Sequence, residues 1–292
     1  MNDATTDLNF TPSSVRIKEL ERLGEGRQAE LFVFAGCVVK LFRDAPNNVA
    51  AARREAATMS MVQVTGIPMP RVLGTVTIED RPGIVMERLT GTDQLSLLGR
   101  KPWFVWNAAK NLARLHAQLH SKLAPHELPS LKASLREEIE RSDSVPPEHK
   151  QIVAAALDSL PDGAAICHWD LHPGNVIETR EGPRIIDWAI VRRGDAPADV
   201  ARTLLIIHAG ALPPGAPLLV RALVALGRRL LSGRYLREYR RVRPLDDAGL
   251  GTWNIAAVAS RLSHGIPEER EYLLERLKVE SRRWRKSVAR PS

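Results

Sequence analysis

The sequence contains no run approaching about 18 consecutive apolar residues, so no transmembrane helix is expected. Cysteine is scarce: Cys37 and Cys167 are the only two, each inside an apolar run. Two such residues exclude a disulfide framework and a thiolate zinc site, and they predict buried, reduced thiols in a cytoplasmic protein. The opening stretch MNDATTDLNFTPSS has neither a basic n-region nor an apolar h-region, so no signal peptide is expected. No internal repeat is visible, and no low-complexity segment beyond an Arg-rich tail. What remains is a globular composition. The 292 residues, 44% hydrophobic and 26% charged, are too many for one minimal core and suit two lobes.

Charge is unevenly placed. The net charge is +8 and the pI about 9.9, a balance that invites a nucleic-acid reading. Residues 205–292 hold 17 Lys+Arg against 8 Asp+Glu, a net of +9, so the rest of the chain is close to neutral. The basic groups are Arg228-Arg229, Arg234, Arg237, Arg240-Arg241 and the 282–286 run RRWRK. They read as solvated helix faces or, alternatively, as an RNA or membrane-surface contact with Trp284 interleaved. No RNA-binding motif accompanies them, and neither nucleic acid nor a membrane is the expected partner.

Along the chain, short β-suited runs come first, at residues 15–23, 30–35 and 38–43, with turns at Gly24-Glu25-Gly26 and Ala35-Gly36. Residues 46–64 read as a helix capped by Asn47 or Asn48, with Ala50, Ala57, Met61 and Val64 on its apolar face. Residues 72–78 and 83–87 alternate like two further strands joined at Arg81-Pro82-Gly83. Helical periods follow at 103–123, 131–141 and 148–160. A second short β region covers 164–168, 176–179 and 183–187, and the chain is helical from residue 198 on. Strands, one helix, strands, then mostly helices make an α+β, bilobal arrangement: a small β-rich lobe at 1–88 and a larger helical lobe at 89–292.

Three features carry chemistry. The run HWDLHPGN at 168–175 lies in a loop between two strands, and Asp187 follows at the end of another strand. Asp170, Asn175 and Asp187 together offer the oxygen ligands that Mg²⁺ prefers. Gly24 and Gly26 sit in a turn where backbone N–H groups can approach phosphate, or where an ordinary hairpin needs small residues. Lys40 lies mid-strand among apolar residues and must either face water or find a partner, for which Glu55 on the following helix is suited. A Gly-rich turn, a strand Lys, a helix Glu, H-x-D-x-x-x-x-N and a strand-end Asp, in that order, are the parts of a protein-kinase-like phosphoryl-transfer site. No Walker A pattern occurs, which disfavours a P-loop kinase.

HWDLHPGN at 168–175, IIDWA at 185–189 and GDAPADVART at 194–203 resemble the aminoglycoside phosphotransferase and choline-kinase-like branch of the kinase fold. LARLHA at 112–117 and AELFVFAGCVVKLFR at 29–43 extend the resemblance over roughly residues 15–205. The DLHPGN and IDW words favour this small-molecule branch over true protein kinases, whose A-P-E segment is missing after Asp187. The resemblance implies an enzyme that uses ATP and Mg²⁺ to phosphorylate a small-molecule hydroxyl. Lys40 would contact the α- and β-phosphates, and Met86, Glu87 and Leu89 would form the hinge for adenine. Asp170 would accept or orient the hydroxyl proton, Asn175 and Asp187 would hold Mg²⁺, and Asp199 would tie the loop down. Trp169 departs from the family's usual small residue, and Ala29 replaces a third turn glycine.

The acceptor side is Arg-rich, and its candidate carboxylates for a cationic acceptor are few: Asp246, Asp247, Glu268, Glu269, Glu271, Glu275 and Glu280. A polycationic antibiotic wants an acidic site, so a neutral or anionic hydroxyl compound is expected. Two alternatives stand beside this: a protein kinase, and a nucleotide-binding regulatory protein without turnover. The intact Lys40, Asp170, Asn175 and Asp187 argue against the second.

Overall fold

A computed structural model describes residues 15–26, 28–43, 48–210, 215 and 217–289. Arg27 of the glycine turn and the helix-start residues Pro46 and Asn47 lie outside the described residues. The chain forms two compact units, Met1–Thr92 with Ile177–Ala189, and Asp93–Val176 with Ile190–Ser292. The segment 177–189 thus belongs with the first unit although it comes late in the sequence. The class is α+β, with an antiparallel sheet dominating the first unit and helices the second.

The first unit begins with β1 (Arg22–Glu25), β2 (Ala29–Phe34), β3 (Cys37–Phe42), α1 (Asn48–Gln63), β4 (Val72–Ile78) and β5 (Arg81–Met86). The strands form one sheet in the order β1-β2-β3-β5-β4. Side chains alternate across a strand, and in β3 this sorts the residues cleanly. Val39 and Leu41 join Phe32, Phe34, Val76, Ile78 and Val85 on one face. Phe42 points the other way and packs with Ala29, Ile84, and Ala52 and Ala56 of α1. Lys40 shares the parity of Phe42 and therefore faces α1.

Three local expectations change. Residues 15–23 are not one strand: a 3₁₀ turn occupies Ile17–Glu19, and β1 starts only at Arg22. Val15, Ile17 and Leu20 instead pack against one apolar face of the sheet. The β4–β5 turn falls at Glu79-Asp80, both at positive φ (47° and 64°), not at Arg81-Pro82-Gly83. Two left-handed residues match the twist of paired strands. Arg81, Pro82 and Gly83 continue β5 instead, and a side chain at Gly83 would meet Val39 at 2.9 Å. Finally, α1 buries Ala52, Glu55, Ala56, Met59 and Val62 rather than the face through Ala50, Ala57, Met61 and Val64. The buried stripe has helical spacing, but a carboxylate stands in its middle, which a count of apolar residues misses.

The chain continues through β6 (Gly91–Asp93), α2 (Gln94–Arg100), α3 (Val105–His120), α4 (Leu131–Arg141), α5 (Pro147–Asp158) and β7 (Ala165–Cys167). It then crosses back for β8 (Val176–Thr179) and β9 (Gly182–Ile185), which make a small sheet in the order β6-β8-β9. Helix α2 is capped by Asp93, which accepts from Ser96 N–H at 2.8 Å. The remainder is β10 (Arg192–Gly194), paired with β7, and α6 (Ala196–Ala209), α7 (Leu218–Val242), α8 (Asp247–Ser263) and α9 (Pro267–Val288). The second unit's core holds Leu112, Leu119, Trp253, Tyr235 and Tyr239, all fully buried. Cys167 is buried there and burial pushes its thiol well up, whereas Cys37 is only half-buried in β3. No described helix is long and apolar enough to cross a membrane.

Two glycines make contrasting tests. A Cβ at Gly91 would fall 2.1 Å from the Glu178 carbonyl oxygen, whereas one at Gly24 would meet nothing within 4 Å. Gly91→Ala should therefore cost about 1–3 kcal/mol and lower Tm by several degrees, as forced repacking does. Gly24→Ala should leave Tm within a degree or so. Paired thermal melts check both expectations.

Candidate functional site

In the first unit, the alternation of β3 carries Lys40 to the α1 face, where the buried stripe of α1 supplies Glu55. Lys40 Nζ donates to Glu55 Oε1 at 2.7 Å and lies 3.5 Å from Asp187 Oδ1. Glu55 is buried, Lys40 largely so, and Asp187 half-exposed. Burial works against the Lys40 ammonium, but Glu55 and then Asp187 outweigh it, and its pKa is raised. Burial likewise pushes Glu55 up against the pull of Lys40. One lysine side chain thus faces two acidic ones. Asp187 follows β9 at φ +64°, a left-handed conformation that aspartate tolerates better than most residues.

The 86–89 segment is fixed by its own glutamate. Arg184 Nη1 donates to both oxygens of Glu87 at 3.1 Å each. Glu87 Oε2 also accepts from Arg71 N–H (3.1 Å), and Glu87 N–H donates to the Arg71 carbonyl (2.8 Å). Met86 pairs with Val38 on one side and Val72 on the other, and Leu89 is half-buried. Gly24 and Gly26 lie at the β1–β2 hairpin, where Gly26 N–H donates to the Ala29 carbonyl at 2.8 Å. Neither has a positive φ, so the hairpin itself does not require glycine, and the space over Gly24 is open.

In the second unit, β7 leads into the 168–175 loop. Asn175 Nδ2 donates to the Asp170 carbonyl (2.9 Å) and to Asp170 Oδ2 (3.1 Å). This orients Asn175 so that its other side-chain atom, an oxygen, is the one left for a ligand. Asp170 is a quarter exposed, and His172 Nε2 lies 3.9 Å from its Oδ2. His172 Nδ1 accepts from Gly174 N–H at 3.1 Å, which caps the short 3₁₀ turn at Pro173–Asn175. His168 Nδ1 accepts from Asp170 N–H at 3.3 Å.

Trp169 stands at φ +66°, the conformation glycine adopts most cheaply. That is the physical reason a small residue suits this position. Here the cost, about 1 kcal/mol, is offset by burial, because only 3% of the residue is exposed. Its ring packs inward, with the Arg202 guanidinium 5.4 Å from the ring centroid. Arg202 Nε donates to the Trp169 carbonyl (3.3 Å), and Asp199 accepts from His168 N–H (2.6 Å) and Trp169 N–H (2.8 Å). Thr203 Oγ1 donates to the Leu171 carbonyl (2.8 Å). Helix α6 therefore grips the loop at consecutive residues. Burial, with Arg261 beside it, pushes Arg202 down to about 10, while Asp170 pulls it back up.

Residues to which the sequence analysis assigned no role complete this second site. His116 and His120, one turn apart on α3, place their Nε2 atoms 3.0 and 3.3 Å from Asp199 Oδ2. Their Nδ1 atoms meet the hydroxyls of Tyr235 (2.6 Å) and Tyr239 (2.7 Å) on α7. The helical spacing of His116 and His120 was the available clue, but a histidine on an apolar face reads first as core. Lys40, Glu55 and Asp187 come together in the first unit, and Asp170 and Asn175 in the second.

A family model described as the phosphotransferase enzyme family matches residues 19–245. Among solved structures, an aminoglycoside-3'-phosphotransferase of type VIII is similar at 20% identity, covering 82% of this chain and 93% of its own, with a TM-score of 0.59. The streptomycin–ATP–APH(2")-IIa ternary complex is similar at 15% identity, covering 91% and 92%, with a TM-score of 0.57. A choline kinase from Cryptosporidium parvum is similar at 13% identity, covering 95% and 93%, with a TM-score of 0.55. These likenesses show the fold. No curated protein matches in sequence.

The buried cluster makes stability depend on pH. Burial, helped by His116, pushes His120 down to about 4. Burial alone would raise Asp199, but His116 and His120 outweigh it and hold the carboxyl below its usual range. A histidine with a depressed folded pKa contributes fully above its unfolded pKa, about 6.5, and the contribution is lost as pH falls toward about 4. Thermal melts of the wild type should fall over that window, and the fall should shrink in His120→Gln. Equal pH dependence in both proteins would remove His120 from this account.

Proposed function

This chain belongs to the phosphotransferase enzyme family, and from that premise we propose that it transfers the γ-phosphoryl group of ATP to a hydroxyl of a small molecule. The observation that carries the reading is the Lys40 ammonium held by Glu55 and Asp187 on the helix-facing side of the sheet. A lysine so placed has no structural necessity in an apolar strand and suits the charge of a nucleotide triphosphate. The open space over Gly24 fits close approach of phosphate to the hairpin backbone. Met86, Glu87 and Leu89 are proposed to line the adenine, with Glu87 acting as the strut that fixes the segment.

Asp187 offers a half-exposed carboxylate and Asn175 an oriented amide oxygen, each a hard ligand of the kind Mg²⁺ prefers, and both are proposed as its ligands. Bound there, Mg²⁺ would neutralise charge on the phosphates. Asp170 is proposed to accept or orient the proton of the attacking hydroxyl. Its carboxylate is fixed by Asn175 and remains open to solvent. The new O–P bond forms as the bond to the ADP oxygen breaks, and the protein's part is positioning and charge.

For the acceptor, the carboxylates of residues 205–292 favour a neutral or anionic compound. Asp246 caps α8, Asp247 pairs with Arg240, and Glu269 pairs with Arg261 at 2.7 Å. Glu275 pairs with Lys278, and Glu280 with Arg276 and Arg283. Glu268 and Glu271 are exposed and, among the described residues, in no ion pair, so residues 205–292 offer few uncommitted carboxylates to a polycation. Similar structures named for aminoglycosides pull the other way, toward a cationic acceptor. Efficient phosphorylation of a kanamycin-type polycation would overturn the neutral-or-anionic assignment.

Asp170→Ala should lower kcat by on the order of 10²-fold or more while ATP binding survives. Lys40→Met should weaken ATP binding by about tenfold or more, since a charge-assisted contact is lost. Initial rates and calorimetric ATP titrations separate the two effects. Normal turnover by Asp170→Ala would show that another group serves the hydroxyl.

A further inference from the structure

Asp199 is fully buried, and both its oxygens are committed to the loop: Oδ2 to His168 N–H and Oδ1 to Trp169 N–H. Asp170 is the next residue. What orients Asp199 in turn is a pair of imidazoles, and what orients those is α7. His116 and His120 lie four apart on α3, and Tyr235 and Tyr239 four apart on α7, so each pair shares one helix face. The hydroxyls reach Nδ1 of the two rings at 2.6 and 2.7 Å, and the rings reach Asp199 with Nε2. Both tyrosines are fully buried, and burial pushes their hydroxyls well up. Each therefore keeps its proton and, with Nε2 of its histidine turned to a carboxylate, is the donor to Nδ1.

A hydroxyl donating to Nδ1 requires that nitrogen to be unprotonated. The ring's one proton then sits on Nε2, facing the carboxylate. Without the hydroxyl, the proton can move to Nδ1, and the Nε2 lone pair would then face the negative oxygen. The grip on His168 and Trp169 thus depends on a phenol proton on a different helix. The three groups His116, His120 and Asp199 are also close enough for a metal ion. The groups have partners without a metal: Asp199 Oδ2 takes a backbone N–H at 2.6 Å, both Nδ1 atoms meet tyrosine hydroxyls, and both Nε2 atoms lie within 3.3 Å of the carboxylate.

We propose that Tyr235 and Tyr239 are positioning residues for Asp170, acting through His116 and His120 to hold Asp199 on the backbone of the 168–170 loop. Helix α7 would thereby be coupled to the reacting carboxylate without touching it. The kinetic part of this inference rests on the phosphotransfer reading; the structural part does not.

The test is amide hydrogen exchange by mass spectrometry on the full chain, comparing wild type, each Tyr→Phe variant and the Tyr235→Phe/Tyr239→Phe double variant. The double variant should exchange the 167–175 loop about tenfold faster or more, with β2–β3 peptides unchanged. Where the wild type turns over, kcat should fall by a similar factor with KM for ATP unchanged. Each single variant should give a smaller change in the same peptide, which keeps the test valid if the double variant folds poorly. Unchanged loop exchange in the variants overturns the proposal. So does acceleration of the loop only together with every other peptide, which reports general unfolding. A wild type without turnover would count against the phosphotransfer reading, while the exchange data would still decide the role of the tyrosines.

Discussion

A carboxylate with no solvent exposure organises the second unit. Asp199 would cost several kcal/mol as an unpaired buried charge. It is tolerable only because two imidazoles and two backbone N–H groups converge on its oxygens. That requirement ties α3, α6 and the 168–175 loop to one point, and α7 joins through the tyrosines. The strained backbone of Trp169 follows from the same constraint. Its N–H is held by Asp199, its carbonyl by Arg202, and its ring is buried beneath the guanidinium. A left-handed tryptophan persists because the surroundings determine it from three sides.

The first unit uses a related device with a different outcome. Lys40 and Glu55 are brought together by two periodicities, the alternation of β3 and the 3.6-residue repeat of α1. Here the buried pair retains an exposed neighbour in Asp187. The cluster is therefore both fixed and accessible, as a phosphate-binding group needs to be, whereas the Asp199 cluster is fixed and closed. Accessibility separates residues suited to meeting substrate from residues suited to holding others in place.

Much of this was legible in the sequence, for identifiable reasons. The HWDLHPGN run, Asp187 and the Lys40–Glu55 pair are local words or follow from simple alternation, and the strand–helix order follows from punctuation and period. The start of β1 was not legible, because Val15, Ile17 and Leu20 are apolar for covering the sheet rather than for joining it. The β4–β5 turn was misplaced because Pro82 and Gly83 advertise a turn more loudly than Glu79-Asp80, whose left-handed geometry leaves no composition signal. The buried face of α1 was misread because its central residue is a glutamate. Asp199 was expected to tie the loop down and does, but its Tyr–His partners were out of reach, since residues 116, 120, 235 and 239 meet it only in three dimensions. The positive charge, first a hint of nucleic acid, is partly taken up in ion pairs, with Arg234, Arg241, Arg261, Arg276 and Arg283 on helices α7 to α9 each meeting a carboxylate.

The proposed chemistry, transfer of a phosphoryl group from ATP to a small-molecule hydroxyl, is what the rest of the account turns on. The most direct measurement is a mass-spectrometric screen of neutral, anionic and cationic hydroxyl compounds with ATP and Mg²⁺. The account predicts a gain of one phosphoryl group on a neutral or anionic acceptor, matched by ADP release and abolished in Asp170→Asn. Binding of ATP with no phosphorylated product from any acceptor class would contradict it.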